Sequence, residues 1–319
     1  MAVDREATAR RRRPLSDDEL DRLRRRIRPD AAQVTAEPLV GGLDTATYRL
    51  RLQGRADEDF VVRIYREYPH DRVEAARREF AALTALSRAN VLAPRPVLGD
   101  PAGDILGDPL IVMTFFHGAP RPPDADAGAW ARQMADALAD VHDTPLAHLP
   151  PDFRRGESPQ ARVDRILAKP PERTEPLWDS VAAALPSVAA GLRANAPTLI
   201  HGDFWFGNTI WDEGRLTGIV DWDGVRIDDP ALDVSIARND IVLFSGSRTA
   251  DIFLDRYRQR RGALAGLRFW DLVACLSPIK WLAHWVEGYQ ELGVALPLAD
   301  ARERLAIWVD ALVREARAT

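Results

Sequence analysis

Residues 199–223 read LIHGDFWFGNTIWDEGRLTGIVDWD, and this stretch decides how the chain is interpreted. His201, Asp203, Asn208, Asp221 and Asp223 fall within 23 of its residues, the densest group of reactive side chains in the sequence. Asp203 and Asn208 stand five apart on an aromatic, glycine-containing loop, and Asp221 follows 13 residues later at the end of a β-branched run. NTIW and LTGIV flank DEGR in the pattern of a short hairpin. Such a hairpin returns the chain and is expected to bring Asp221 back beside Asn208. A carboxylate with an amide oxygen is a hard oxygen pair, suited to Mg²⁺ rather than to zinc.

On the N-terminal side the pattern from Glu37 onward is β. EPLVGG, TYRLRL and FVVRIYR are separated by the turn-like LDTA and GRADED and read as an antiparallel meander. Alternation puts Val61, Arg63 and Tyr65 on one face of the third strand and Val62 and Ile64 on the other. In VEAARREFAALTAL, Val73, Ala76, Phe80, Leu83 and Leu86 have near-helical spacing, and Asn90, Pro94 and Pro96 end the helix. Strands around PRPVLGD and DPLIVMTFF complete a sheet of about five strands with one helix packed on it. HGAPRPPDADAG, His117 to Gly128, reads as a linker between lobes. Beyond it AWARQMADALADVHD, ARVDRILAK, EPLWDSVAAALPSVAAGLR and several segments after Asp233 are helical in pattern. Residues 1–30 carry 10 arginines and 7 acids, with the run Arg10 to Arg13, and read as a solvated tail in which Ser16 and Glu19 open a short helix. The expected division is therefore 1–30 tail and short helix, 31–117 N-lobe and 118–319 C-lobe.

Composition narrows the function classes. The 319 residues are 46% hydrophobic and 29% charged, ordinary values for a folded chain of two lobes. A net charge of −5 gives no general reason to expect nucleic-acid binding. The longest apolar stretch, Pro109 to Phe116, is strand-sized, so no membrane span is expected. The N-terminus shows no signal-peptide core, and the lone Cys275 forms no disulfide framework or zinc set, which points to a reducing cytoplasm. GxxxxGK[ST], GxGxxG after a strand, and GxSxG are all absent. Lysine occurs only at Lys169 and Lys280, so basic chemistry elsewhere falls to arginine.

HGDFWFGN resembles the HGDxxxxN catalytic loop, and IVDWD the metal-binding segment, of the aminoglycoside phosphotransferase and choline kinase-like family of small-molecule kinases. The resemblance spans roughly Glu37 to Tyr257. It implies an α+β, bilobal, protein-kinase-like fold, with an N-terminal antiparallel sheet plus helix and a larger helical C-terminal lobe. It also implies transfer of the γ-phosphate of ATP or GTP, with Mg²⁺, to a hydroxyl of a small molecule. In that frame Asp203 is the proton acceptor, and Asn208 and Asp221 hold the metal. Gly41 and Gly42 cover the nucleotide, Arg63 meets its phosphates, and Glu79 orients Arg63, with Glu74 as the rival. The backbone from Thr114 to Phe116 faces the purine. Asp233 braces the catalytic loop, His201 holds its backbone, and His142 and Asp143 are structural. Asp229 with Pro230 shapes a turn. Asp223 is left between reaching the metal and facing solvent. The expected partners are a small-molecule acceptor and the nucleotide, in a monomer or homodimer; a catalytically idle ligand-binding module is the alternative.

The acceptor is less legible. From Val225 to Thr319 there are 13 acidic and 13 basic residues, a balance that does not favour a polycationic aminoglycoside. Trp281 and Trp285, four apart with His284 and Glu287 nearby, read either as core packing or as an aromatic wall for a macrolide or a sugar. Phe204, Trp205 and Phe206 either line the site or seat the loop. An antibiotic and a metabolic sugar or amino alcohol both remain open as acceptors.

Overall fold

The computed structural model describes residues 13–39, 45–54, 57–66, 71–89, 91–120, 126–171 and 175–318. They form two compact units. The first runs to Phe116 and takes in His148–Pro150 and Asp221–Asp223; the second comprises His117–Ala147, Pro151–Val220 and Gly224 onward.

The first unit opens with α1 (Asp17–Ile27). Ser16 Oγ accepts from Glu19 N while the Glu19 carboxylate accepts from Ser16 N, so two orphan donors of the first turn are satisfied together. The sheet is β1 (Gln33–Pro38), β2 (Ala46–Gln53), β3 (Glu58–Ile64), β4 (Pro96–Asp100) and β5 (Leu110–Thr114), in the order β1-β2-β3-β5-β4 and antiparallel throughout. Tyr48, Leu50 and Leu52 of β2 point inward between half-buried or exposed Arg49 and Arg51. They cluster with Val62, Ile64 and Val112 and with Leu15 and Leu23 from the α1 region. Tyr48 OH donates to Arg13 O at 2.6 Å. The short helix read in the Arg-rich segment thus covers one sheet face. β1 begins at Gln33 and pairs with β2 from Gln33↔Gln53 to Pro38↔Tyr48, so the ladder draws in polar residues ahead of the apolar run at Glu37.

The opposite sheet face meets α2 (Arg72–Ser87), whose first N–H groups at Val73 and Glu74 donate to the Asp71 carboxylate. Alternation along β3 turns Arg63 towards this helix, away from Val62 and Ile64.

In the second unit, α3 (Ala127–His142) packs on α7 (Ser247–Arg261), and α6 (Ala231–Ser245) packs on α7 and α8 (Leu267–Glu291). α8 also packs on α5 (Pro176–Ala189) and α9 (Leu298–Arg317), while α4 (Pro159–Leu167) packs on α5. Two short ladders lie among them. β6 (Thr198–Ile200) pairs with β9 (Arg226–Asp228), and β7 (Thr209–Asp212) pairs with β8 (Arg215–Ile219). The β7–β8 turn is Glu213–Gly214, both at positive φ (45° and 80°), the left-handed pair that tight hairpins require. Gln133 of α3 clamps this turn, donating to Gly214 O (3.1 Å) and accepting from Leu216 N (3.1 Å). α6 is buried almost all round, including Asp233, Ser235, Arg238, Asn239 and Asp240. Buried polar groups need partners, and two of these aspartates find theirs in the loop after β6.

Candidate active site

β6 delivers the chain to His201, Gly202 and Asp203, and the single 3-10 turn Phe206–Asn208 then leads into β7. Asp233, in the first turn of α6, accepts the His201 N–H through Oδ2 (2.6 Å) and the Gly202 N–H through Oδ1 (2.8 Å). His142 Nε2 lies 3.3 Å from Asp233 Oδ2, and Tyr257 OH lies 2.7 Å from His142 Nδ1. The tautomer that satisfies both contacts carries its proton on Nε2. Burial opposes ionisation of Asp233, but His142 and the loop donors outweigh it and hold the carboxyl below the usual range. Burial pushes the His142 ring down, so it stays neutral. Asp233 is therefore an anion that fixes two consecutive peptide groups, in agreement with its expected bracing role.

His201 is fully buried. Its Nε2 reaches Val220 O at 2.9 Å, and its Nδ1 accepts from Asp203 N at 3.3 Å. This is a backbone clamp, as expected. Asn208 donates through Nδ2 to Asp203 O (2.9 Å) and Asp203 Oδ2 (3.1 Å). Both bonds use the nitrogen, which leaves Oδ1 as the amide atom suited to a hard cation. Asp203 is exposed, whereas Asn208 is buried. Phe204 and Phe206 are fully buried, and the Trp205 ring lies across Gly207, where an added Cβ would come within 2.2 Å of it. The aromatic residues seat the loop. Gly202 has φ +87°, and a Cβ there would meet Gly224 O at 2.3 Å. Within the second unit the hairpin returns the chain to this loop, where Val220 N donates to Asn208 O at 2.9 Å.

In the first unit, Arg63 Nη1 lies 2.7 Å from Asp221 Oδ1, and Arg63 Nε and Nη1 each lie 3.5 Å from the Glu79 carboxylate. Tyr65 OH donates to Glu79 Oε2. Glu79 is 1% exposed, so this is not a surface ion pair; Glu74, the rival, is exposed. Burial pushes the Glu79 carboxyl up to about 7, against the pull of Arg63 and Tyr65. Arg78 of α2 donates to Asp223 O (3.2 Å) and lies 3.7 Å from Asp223 Oδ1. Neighbouring residues of α2 and β3 thus grip the 221–223 segment at two points. Asp221 itself adopts φ +64°, a conformation an L-residue keeps only when its surroundings impose it. By their chemistry alone, the amide oxygen of Asn208 and the carboxylate of Asp221 are each the kind of hard oxygen donor that Mg²⁺ takes. Among the described residues no group of three or more His, Cys, Asp or Glu side chains is placed to hold a metal ion.

Other expectations fare differently. Gly41 and Gly42 lie outside the described residues. The Thr114 N–H donates to Arg95 O at 3.0 Å, so it is committed to the sheet edge and cannot serve a purine without breaking that bond. Phe116 is half-buried at the end of the first unit. Asp229 accepts from Ala231 N and from Asn195, consistent with turn formation. Asp143 accepts from Arg261 in an exposed ion pair. The tryptophan pair is not a core pair. Trp281 is 38% exposed at a kink in α8, with φ −126° three residues after Pro278 and Lys280 Nζ 5.0 Å from its ring centroid. Trp285 is half-buried. Sequence reading missed Arg78, which looks like one member of a solvated Arg pair, and also Tyr65 and Asp240, whose partners are far along the chain or on another element.

Comparison with known proteins follows the same lines. The family model described as "Phosphotransferase enzyme family" matches residues 35–272. A Ralstonia eutropha JMP134 protein provisionally assigned as an aminoglycoside phosphotransferase superposes with a TM-score of 0.70 at 17% identity, over 95% of this chain and 98% of that one. Macrolide 2′-phosphotransferase MphH from Brachybacterium faecium gives 0.62 at 20% identity, over 91% and 96%. The GDP and kanamycin complex of APH(2″)-IIIa gives 0.60 at 17% identity, over 92% and 97%. At these identities the structural likeness is one of fold, and the α+β class read from the sequence is the one found.

Proposed function

Because the chain belongs to the phosphotransferase enzyme family, we propose that it moves the γ-phosphoryl group of ATP or GTP, with Mg²⁺, to a hydroxyl of a small molecule. The observation that carries this reading is the braced loop. Asp203 is exposed while its backbone is fixed by His201 and its carboxylate by Asn208, and Asp233 holds the two residues before it. Phosphoryl transfer passes through a loose transition state, so alignment and charge neutralisation supply most of the catalysis. Such a loop is built for alignment.

In this reading Asp203 orients the acceptor hydroxyl and takes its proton late, as the new O–P bond forms and the bond to the leaving nucleoside diphosphate breaks. An alcohol is far too weak an acid to ionise first. Asn208 Oδ1 and the Asp221 carboxylate would hold Mg²⁺, which when bound neutralises charge on the nucleotide phosphates. Arg63 would meet those phosphates, with Glu79 and Tyr65 fixing its orientation. Asp223, held by Arg78, would keep the metal-binding segment in register. Gly41 and Gly42 would cover the nucleotide, and the backbone at Phe116 would serve the purine in place of the Thr114 N–H.

Acceptors are proposed from two classes. Related structures are named for macrolide and aminoglycoside phosphotransferases, one of them complexed with GDP and kanamycin. The even charge of the C-terminal helices suits a neutral or singly charged acceptor, a macrolide, sugar or amino alcohol, better than a polycation. Among the described residues no helix is long and apolar enough to cross a membrane. We place the protein in the cytoplasm as a monomer or homodimer.

The test is a screen for acceptor-dependent release of nucleoside diphosphate from ATP and GTP across aminoglycosides, macrolides, sugars and amino alcohols, with the phosphorylated acceptor identified by its mass. We expect at least one acceptor to be phosphorylated by the wild type. Asp203→Ala should lower the rate by about 10²-fold or more with an unchanged melting temperature. Tight magnesium–nucleotide binding with no transfer to any acceptor would favour the idle binding module instead.

A further inference from the structure

α6 offers the catalytic loop a second carboxylate. Asp233 and Asp240 lie seven residues apart, two helical turns, and so share one face. Asp233 takes the N–H groups at the start of the loop. Asp240, fully buried, takes the Phe206 N–H at 3.2 Å through Oδ2. That donor lies midway between Asp203 and Asn208. The other oxygen of Asp240 accepts from Tyr289 OH at 2.6 Å. Tyr289 stands in the last turn of α8, beyond the kink at Trp281, and is fully buried too. Its ring stacks on Phe206 (5.3 Å between centroids, 19° between planes) and contacts Trp205 at 5.8 Å. Asp240, Tyr289 and the loop aromatics therefore form one contiguous contact, entirely within the second unit.

We propose that Asp240 and Tyr289 are a positioning pair, which sets the 3-10 turn carrying Asn208 and through it the distance between Asn208 and Asp203. This rests on the reading of Asp203 as proton acceptor and adds a dependence of its alignment on the distal half of α8. An apolar residue at 240 would leave a buried peptide N–H unsatisfied beneath the reactive loop, a cost normally avoided by letting that peptide move. Displacements of about 1 Å in a reacting group are enough to cost about 10²-fold in rate. Asn at 240 retains an oxygen for the Phe206 N–H and an NH₂ for the tyrosine oxygen. Phe at 289 retains the ring stack and removes only the hydroxyl.

The pair is tested with Asp240→Ala, Asp240→Asn and Tyr289→Phe in the full chain. Hydrogen exchange of peptides spanning 203–209, with no ligand present, reads the positioning directly. Phosphate release from magnesium ATP and GTP without acceptor, together with direct titration of nucleotide binding, reads its consequence. We expect Asp240→Ala and Tyr289→Phe to speed exchange in 203–209 by about tenfold or more, while α3 exchanges as in the wild type. The maximal release rate should fall by about 10- to 100-fold with nucleotide affinity unchanged within about twofold, and Asp240→Asn should recover both readouts to within about threefold. Wild-type exchange in 203–209 for both variants would overturn the proposal, as would an acceleration spread equally over α3. Should Asp240→Ala fail to fold, Tyr289→Phe and Asp240→Asn decide by the same criteria. A wild type inert towards every nucleotide would count against the functional reading alone, since the exchange experiment needs no turnover.

Discussion

Arg63 shows how much one side chain carries. Its guanidinium lies 2.7 Å from Asp221 and 3.5 Å from Glu79, so one planar fork addresses two carboxylates from different segments. A lysine ammonium is a compact point charge with three rotatable donors and lacks this fixed planar fork. Arg63→Lys is expected to raise the nucleotide KM about tenfold, and Arg63→Ala to raise it further, with smaller changes in kcat; steady-state kinetics with varied nucleotide check this. An unchanged KM would move the phosphate role to another residue. Asp240 makes a separate prediction in pH. Burial pushes its carboxyl up to about 7, against the donors Tyr289 and Phe206 N–H. The folded chain therefore binds this proton more tightly than the unfolded chain does, and the stability so gained is present in acid and is lost as the pH rises from about 4 to about 7. Asp240→Asn should remove that loss, flattening the dependence by at most about 1.4 kcal/mol per pH unit in melts run across this window. Equal slopes for the two proteins would show that Asp240 is ionised throughout.

At the level of elements, the β7–β8 hairpin was readable because its turn residues and β-branched flanks are contiguous. Its detail is tighter than DEGR suggested, since Glu213 and Gly214 alone make the turn. Glu213 holds φ 45° without the tolerance of Asn or Gly. Glu213→Asn is expected to stabilise the protein by about 0.5 kcal/mol and to leave turnover unchanged, measurable as a higher melting temperature. Gly202 should behave in the opposite way. Its φ of +87° and the 2.3 Å approach of Gly224 O leave no place for a Cβ, so Gly202→Ala should lower both stability and activity. The β6–β9 ladder could not be read, because strands of three residues show no period. The kink in α8 was equally hidden. Pro278 marks where a helix can bend, yet the exposure of Trp281 at the bend depends on what packs around it. The spacing of Trp281 and Trp285 fits a core pair and an exposed aromatic surface alike.

At the scale of the whole molecule, the family resemblance is carried from Glu37 onward, but the first unit begins its packing earlier. Leu15 and Leu23 enter the cluster on one face of the sheet, and Tyr48 OH is satisfied by Arg13 O. Deleting the chain through Ile27 should therefore uncover Tyr48, Leu50 and Val62 and lower the melting temperature or the soluble yield, although no proposed site residue is removed. A truncated protein as stable as the full chain would show that α1 contributes nothing to this core. By itself the sequence determined the family and the α+β class, and it singled out Asp203, Asn208, Asp221, Arg63 and Glu79 as candidate site residues, because those signals lie in contiguous motifs and fixed spacings. Only the tertiary structure decided that Arg78 grips Asp223, that Thr114 is committed to the sheet, that the tryptophans lie outside the core, and that Asp240 meets Tyr289 under the loop. Those contacts join residues between 19 and 145 positions apart, and a chain's local pattern does not encode which distant partner fills a buried donor's need; packing does.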